Sequence, residues 1–309
     1  MVRIGVLALL WGSGFLWIKV ALNHGLSPVQ ITVSRCVLGT AVLIGLALAA
    51  RQRLPRSVTV WRHLAVAALL CNALPFALFA VGERTVDSGL AGVLNATTPL
   101  WTLLIGLAIG VERFAAARIA GLLLGFCGVL LIFAPWHAHA SWGAFALLGA
   151  AASYGAGFVY MGRWLTGRGT APIALSAAQL IAATGWSLVA LPAAGPVRVD
   201  STGMAAVVVL GVFCTGVTFY LSYRLIADEG PTSAATVGYL LPVVSVALGA
   251  AVLDERLGVR VLAGMAVVLL AVALTRRTTP ARRLVAQQLD HGTDRPVWSL
   301  SQNRQIRLK

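Results

Sequence analysis

Two cationic side chains lie within otherwise apolar stretches of this sequence. Arg35 lies in the apolar stretch 28–50, and Lys19 lies near the end of the stretch 4–23. A charge within lipid is costly, so Arg35 is expected to face the protein interior or a water-filled cavity. There it would attract a carboxylate or another anionic group, unless it snorkels or bonds neighbouring carbonyls instead. For Lys19, snorkelling and a role in a cationic vestibule are equally compatible with the sequence.

Two prolines occur in the middle of apolar stretches and predict breaks in membrane helices. Pro99 and Pro242 each remove one backbone hydrogen bond, which frees the carbonyl groups of Asn95 and Gly238. In lipid a free carbonyl group must face protein or water. The sequence therefore predicts a pair of helix breaks at a substrate site, with a packing kink as the alternative.

Further polar and aromatic side chains within the apolar stretches could line a mixed polar and aromatic cavity. Each one taken alone is more often a contact between helices. With Lys19, Arg35, Pro99 and Pro242, the candidate substrate-binding residues are Trp11, Asn72, Asn95, Tyr154, Thr215 and Tyr239. Two charged pairs at predicted helix ends, Glu112–Arg113 and Glu255–Arg256, are interpreted as structural salt bridges or loop clamps.

Several kinds of chemistry have no basis in the sequence. It contains no phosphate-binding loop of the type Gly-x4-Gly-Lys-Ser/Thr, no His-Glu-x-x-His and no Cys/His cluster with metal-ligand spacing. We therefore expect no metal, no cofactor and no enzymatic activity. No Asp or Glu lies well inside a predicted helix, which argues against a carboxylate proton relay and leaves Lys19 as the candidate for proton coupling.

The composition shows what kind of element must position these residues. Hydrophobic residues make up 59% of the 309 positions and charged residues only 11%. The apolar residues fall in blocks of about 20, the length of helix that spans a bilayer. The sequence predicts an all-α integral membrane protein with ten transmembrane helices near 4–23, 28–50, 63–82, 88–110, 115–134, 142–162, 171–193, 203–223, 232–253 and 258–275.

The basic residues indicate the orientation of these helices. If the N-terminus is cytoplasmic, most of the 24 basic residues lie on the inner side, so the positive-inside rule places both termini in the cytoplasm. The net charge of +14 is then explained by topology and by contact with anionic lipid, rather than by nucleic acid. We expect a multi-pass protein of the cell (inner) membrane with a basic cytoplasmic tail, predicted to be disordered, over residues 276–309.

The two halves of the sequence repeat one pattern. A shift of 143 residues places Pro99, Gly106, Glu112, Arg113 and Gly121 on Pro242, Gly249, Glu255, Arg256 and Gly264. We predict two five-helix units, residues 1–134 and 142–275. Because five is odd, the second unit would enter the membrane from the opposite side, giving a 5+5 inverted-topology repeat. Gly121 and Gly125 also form a Gly-x-x-x-Gly pair that favours close helix packing or a homodimer contact.

The repeated pattern also carries a family resemblance. Residues 93–133 and 236–272 each combine a central proline, a Glu-Arg pair and a glycine-rich last helix, and the opening WGSGFLWIKVAL resembles a first helix. In these features the sequence resembles EamA-type transporters of the drug/metabolite transporter superfamily. The resemblance implies ten helices, a central cavity lined by helices 1, 3, 4, 6, 8 and 9, and export of amino acids, metabolites or drugs.

Taken together, these features predict a secondary transporter that exports amino acids or related small metabolites by alternating access. Efflux of cationic drugs is a weaker alternative, because Arg35 and the lack of intramembrane carboxylates disfavour a cation site. A non-transporting membrane scaffold or accessory subunit is an alternative from another class. The expected partners are a small-molecule substrate and the lipid bilayer.

Overall fold

The computed structural model describes residues 2–86, 88–112, 114–133, 141–196, 200–244 and 258–277, and the regular elements in these ranges are helices. The first part of the chain forms α1 (Val2–Asn23), α2 (Pro28–Ala49), α3 (Val58–Ala68), α4 (Leu74–Gly82), α5 (Ser88–Asn95), α6 (Thr98–Ala108) and α7 (Ala116–Phe133). The second part forms α8 (Trp142–Trp164), α9 (Pro172–Val189), α10 (Ser201–Gly211), α11 (Thr218–Glu229), α12 (Pro231–Ala235) and α13 (Val259–Arg277).

The start of α2 shows how local sequence sets a helix boundary. The Ser27 hydroxyl accepts a hydrogen bond from the Gln30 backbone N–H, and the Gln30 side chain accepts one from the Ser27 N–H. This reciprocal capping box satisfies two N–H groups that the helix cannot satisfy itself. The Ser27 hydroxyl also donates to the Ala194 carbonyl at 2.8 Å, which ties the start of α2 to the segment after α9.

Two long helical segments each contain one π-helical turn. The turn Leu69–Ala73 joins α3 to α4, and the turn Val212–Val217 joins α10 to α11. A shift of 143 residues places Leu69 on Val212, which is the shift found in the sequence. Turns of this kind are often located at functional sites, because the wider turn moves side chains out of the regular helical register.

Two other segments are interrupted just before a proline. α5 ends at Asn95 and α6 begins at Thr98, so Pro99 lies in the first turn of a new helix, where its missing N–H needs no partner. In the second half, α12 continues into a 3-10 turn, Thr236–Tyr239, and residues 240–244 are again helical. The α-helical hydrogen bonding therefore changes locally before each proline, while the chain continues in the same helical direction.

Seven helices among the described residues are long and apolar enough to span a membrane: 3–23, 28–49, 58–82, 90–108, 142–164, 172–189 and 201–229. Two shorter apolar helices cover Ala116–Ile132 and Val259–Leu274. The remaining predicted helix, 232–253, is described only as far as Val244. The tail beyond Arg277 also lies outside the described residues.

Glycines allow the closest contacts between helices. α7 packs along α13, and a Cβ atom at Gly128 would lie 3.0 Å from the backbone nitrogen of Val268. α2 packs on α9, where a Cβ atom at Gly39 would lie 2.9 Å from the Leu180 Cδ1 atom. Small residues at such positions let helix backbones approach closely within a membrane. Gly125, from the predicted Gly-x-x-x-Gly pair, contacts Tyr239 and Ala271 of the same chain.

The outer surface of the helices is apolar. Leu16, Leu48, Leu104 and Leu269 are more than half exposed, and many other large apolar side chains are exposed around them. A water-soluble protein rarely exposes apolar area on this scale. The chain is therefore a multi-pass membrane protein.

Candidate functional site

A cavity lies among the helices and encloses about 570 Å³ of space free of protein atoms, including the part open to solvent. Its wall includes residues from each of the six predicted helices that the resemblance implied, which are helices 1, 3, 4, 6, 8 and 9 of the ten. Arg35 of α2 also contributes to it. The lining residues are Trp11, Gly14, Phe15, Ile18, Arg35, Phe79, Asn95, Thr98, Tyr154, Phe158, Cys214, Ala235, Gly238 and Leu241.

Arg35 supplies the charge at this cavity. Its side chain is only 6% exposed, its guanidinium carbon lies 3.6 Å from the centre of the Phe76 ring, and its Nε donates to the Thr215 hydroxyl at 3.1 Å. Within the described part of the chain, no carboxylate lies within ion-pair distance of Arg35, and its Nη groups have no hydrogen-bond partner. These N–H groups are therefore available to an anionic ligand.

Aromatic rings form much of the remaining wall. Trp11 and Phe158 are stacked with ring centres 6.1 Å apart, and Phe15 lies 5.5 Å from Phe79. Tyr154 lies between Phe79 and Phe158, at 6.0 Å and 6.1 Å from them. Such a wall can accommodate the apolar part of a ligand whose charged group is held by an arginine.

The interrupted helices contribute the residues whose carbonyl groups were predicted to be free. Asn95 and Gly238 both line the cavity, and the Thr98 hydroxyl donates to the Asn95 side chain at 3.3 Å. Pro99 and Pro242 are not among the lining residues. Pro99 lies in the first turn of α6, and Pro242 lies in the first turn of the helical residues 240–244, so each follows a break.

Three other predicted residues are also absent from the cavity wall, and each of them has a hydrogen bond to another protein group. The Asn72 side chain accepts a hydrogen bond from Gln179 at 2.6 Å, and the Tyr239 hydroxyl donates to the Leu122 carbonyl at 2.8 Å. The Thr215 hydroxyl donates to the Leu210 carbonyl and accepts from Arg35. Thr215 therefore positions the arginine, and Asn72 and Tyr239 connect helices.

Lys19, a candidate for which the sequence left both alternatives open, is not among the residues that line the cavity. Its ammonium group donates to the backbone carbonyl of Glu83 at 2.9 Å and to that of Val86 at 3.4 Å. The lysine thereby fixes the turn that leads from α4 to α5.

The same turn contains a carboxyl group that the sequence interpretation missed. Glu83 directly follows Gly82, the last residue of α4, so it was assigned to an outer connection. The structure shows its side chain fully buried. Glu83 lies outside the helix, in agreement with the expectation that no acidic residue lies well inside one, but its turn is packed into the protein. Nothing in the local sequence distinguishes Glu83 from an exposed loop residue.

The pair Glu112–Arg113 was predicted to form a salt bridge or a loop clamp, and in the structure Glu112 clamps its loop through other residues. Glu112 lies in the turn after α6, where it forms an ion pair with Arg118 and accepts a hydrogen bond from the Thr232 hydroxyl at 2.7 Å. It therefore connects the two halves of the chain. Arg113, Glu255 and Arg256 lie outside the described residues.

The described residues contain no group of three His, Cys, Asp or Glu side chains that could hold a metal ion. What the geometry provides is a pocket between membrane helices with an arginine, aromatic rings and small polar groups. Such a site can bind a small amphipathic molecule with an anionic group.

Comparison with known proteins shows the family to which the chain belongs. The model of the EamA-like transporter family matches residues 4–134 and, a second time, residues 141–277. The chain belongs to the EamA-like transporter family and is a membrane transporter.

Individual proteins agree with this assignment. The chain is 26% identical to the uncharacterized inner membrane transporter YedA of Escherichia coli strain K12, over 91% of this chain and 92% of that protein. It is 25% identical to the uncharacterized transporter YvbV of Bacillus subtilis strain 168, over the same shares. A solved crystal structure of a protein with 21% identity matches with a TM-score of 0.73 and covers 92% of this chain and 97% of that one.

Proposed function

We propose that this transporter exports amino acids or related small metabolites across the cell (inner) membrane by alternating access. The observation that carries the proposal is the buried Arg35 guanidinium, whose Nη groups lack a partner in the described structure while its side chain faces an aromatic cavity. A buried cation with free donors is suited to a carboxylate, because charge-assisted hydrogen bonds are strong where water is excluded.

The chemistry of the wall supports an amino acid over a cationic drug. An α-carboxylate would bind Arg35, and an apolar side chain would contact the rings of Trp11 and Phe158. A cationic compound would meet the positive charge of Arg35, and no acidic side chain lies among the described lining residues. Bringing two like charges together in this environment is unfavourable.

The mechanism we propose uses two five-helix units of opposite orientation, residues 1–134 and 142–275. Its support is that the family model matches twice, that both π-helical turns are related by the shift of 143 residues, and that a helix break precedes each proline. Two related units can form two states of similar energy, one open to each side of the membrane. The substrate would bind between the units.

The proposed orientation places both termini in the cytoplasm, and the name of the E. coli relative supports the inner membrane as the location. Reporter fusions in the connections 111–118 and 254–260 test the orientation. The inverted arrangement requires the two connections on opposite sides of the membrane, and a common location would refute it.

The substrate is tested by a resistance screen followed by direct transport. Cells that overproduce the chain are exposed to toxic amino-acid analogues and to cationic dyes, and efflux of radiolabelled amino acids is then measured. We expect resistance to some analogues, lost in Arg35→Ala and retained in Arg84→Ala, which removes an exposed arginine from the same end of the bundle. Resistance to dyes alone would refute amino-acid export, and no effect across the panel would favour a scaffold.

A further inference from the structure

Glu83 is buried in a way that the proposed transport site does not explain. Its side chain has no exposed surface, and neither carboxyl oxygen has a hydrogen-bond partner in the described part of the chain. The hydrogen bond from Lys19 goes to the backbone carbonyl of Glu83 and leaves the carboxyl group free. An ionised carboxylate in this situation would be costly, so burial favours the protonated form.

Nearby positive charges act in the opposite direction. Lys19 on α1, whose ammonium group lies 2.9 Å from the Glu83 backbone carbonyl, and Arg35 on α2 both favour the ionised carboxylate. From α8, the titratable Tyr154 lines the same cavity as Arg35. Burial therefore favours the protonated carboxyl group, and the two cations favour release of the proton. A change in burial or in the neighbouring charges can alter whether Glu83 is protonated.

The position of Glu83 relates it to the substrate cavity. Phe79 lines the cavity, and Phe76 holds the Arg35 guanidinium against its ring. Residues 76, 79 and 83 recur at helical spacing, so Glu83 lies about one turn beyond the aromatic wall. Ionisable groups at such positions in membrane proteins commonly belong to ion or proton pathways.

We propose that Glu83 is a proton-binding site that is coupled to the cavity through the charge of Arg35. The ligand is a single proton, which the buried carboxyl group without a hydrogen-bond partner holds to higher pH than an exposed glutamate does. A change of charge in the cavity would alter how tightly Glu83 binds its proton. Binding or release of that proton would in turn alter how the cavity binds a charged ligand. The proposal does not depend on which substrate the cavity binds.

Infrared difference spectroscopy of the purified full-length protein in lipid vesicles tests this directly. The wild type should show the C=O stretch of a protonated carboxyl group at neutral pH, and the band should disappear on alkaline titration. The chain has only ten Asp and Glu residues, so assignment by mutation is practical. Glu83→Gln should lack the band, and Asp228→Asn should keep it, because Asp228 is exposed and ion-paired with Arg3.

Coupling to Arg35 is measured by repeating the titration in Arg35→Met. Loss of the positive charge stabilises the protonated carboxyl group, so the band should persist to higher pH than in the wild type. An unchanged titration would refute the coupling. Absence of the band from the wild type at neutral pH, or its presence in Glu83→Gln, would refute the proton site whether or not the chain exports amino acids.

Discussion

Arg35→Met should show whether Arg35 binds a ligand or stabilises the fold. Loss of a ligand-binding arginine weakens binding and leaves stability unchanged or higher, whereas loss of a structural arginine lowers stability. Methionine fills most of the apolar space of the arginine stem and removes the charge. The Thr215 hydroxyl, which accepts from Arg35 at 3.1 Å, still donates to the Leu210 carbonyl at 2.8 Å in the variant. The substitution therefore leaves few new unsatisfied groups in the protein.

The structure allows the two effects to be estimated. The hydrogen bond to Thr215 contributes about 1.5–3 kcal/mol and the contact with the Phe76 ring about 2 kcal/mol. Burial of an ion without a carboxylate partner costs several kcal/mol, which offsets these contacts. We expect the free energy of unfolding to stay within about 1 kcal/mol of the wild type or to rise. A carboxylate ligand would lose about 1.5–3 kcal/mol, which is roughly a tenfold to hundredfold loss of affinity.

The assay combines thermal unfolding in detergent with binding of the radiolabelled amino acid that the wild type transports. The expected result is weakened binding at unchanged or increased thermal stability. Destabilisation by more than about 3 kcal/mol would show that Arg35 holds the helices together. Unchanged affinity in a stable variant would remove Arg35 from the substrate site.

Two further substitutions test how the halves of the chain are joined. Glu112→Gln should lower the free energy of unfolding by about 3–5 kcal/mol, because it leaves Arg118 buried without its ionic partner. The double variant Glu112→Gln with Arg118→Met should recover much of this loss, because it also removes the unpaired charge. Gly128→Ala should cost about 1–3 kcal/mol, because the added Cβ atom would lie 3.0 Å from the Val268 nitrogen, whereas Gly45→Ala meets no atom within 4 Å and should change stability little. Thermal unfolding measures both, and equal stabilities of the two alanine variants would contradict the contact between α7 and α13.

Several elements followed from local sequence because their physical causes are local. Runs of about 20 apolar residues predicted the long helices, and the described bounds of the first two, 2–23 and 28–49, lie close to the predicted ones. Prolines predicted the interruptions before Pro99 and within 236–239, because proline cannot continue the backbone hydrogen bonding. The predicted resemblance to EamA-type transporters was confirmed by the family match.

The residues that face the cavity could be predicted only in part. Trp11, Arg35, Asn95 and Tyr154 line it as expected. Asn72 was indistinguishable from them in sequence, yet its side chain is bound by Gln179 from another helix. Whether a polar residue in an apolar helix meets a ligand or a neighbouring helix depends on how the helix is rotated, and tertiary packing sets that rotation.

The sequence by itself determined that this chain crosses the membrane and breaks two of its helices, since apolar length and proline act over one or two turns. Tertiary structure alone decided which charged groups are buried and what they contact. Lys19 binds backbone carbonyls of the turn after α4, Glu112 pairs with Arg118 and contacts Thr232, and Glu83 is enclosed without a partner among the described residues. These contacts join residues far apart in the chain, so their energies depend on the packed bundle and leave no local pattern in the sequence.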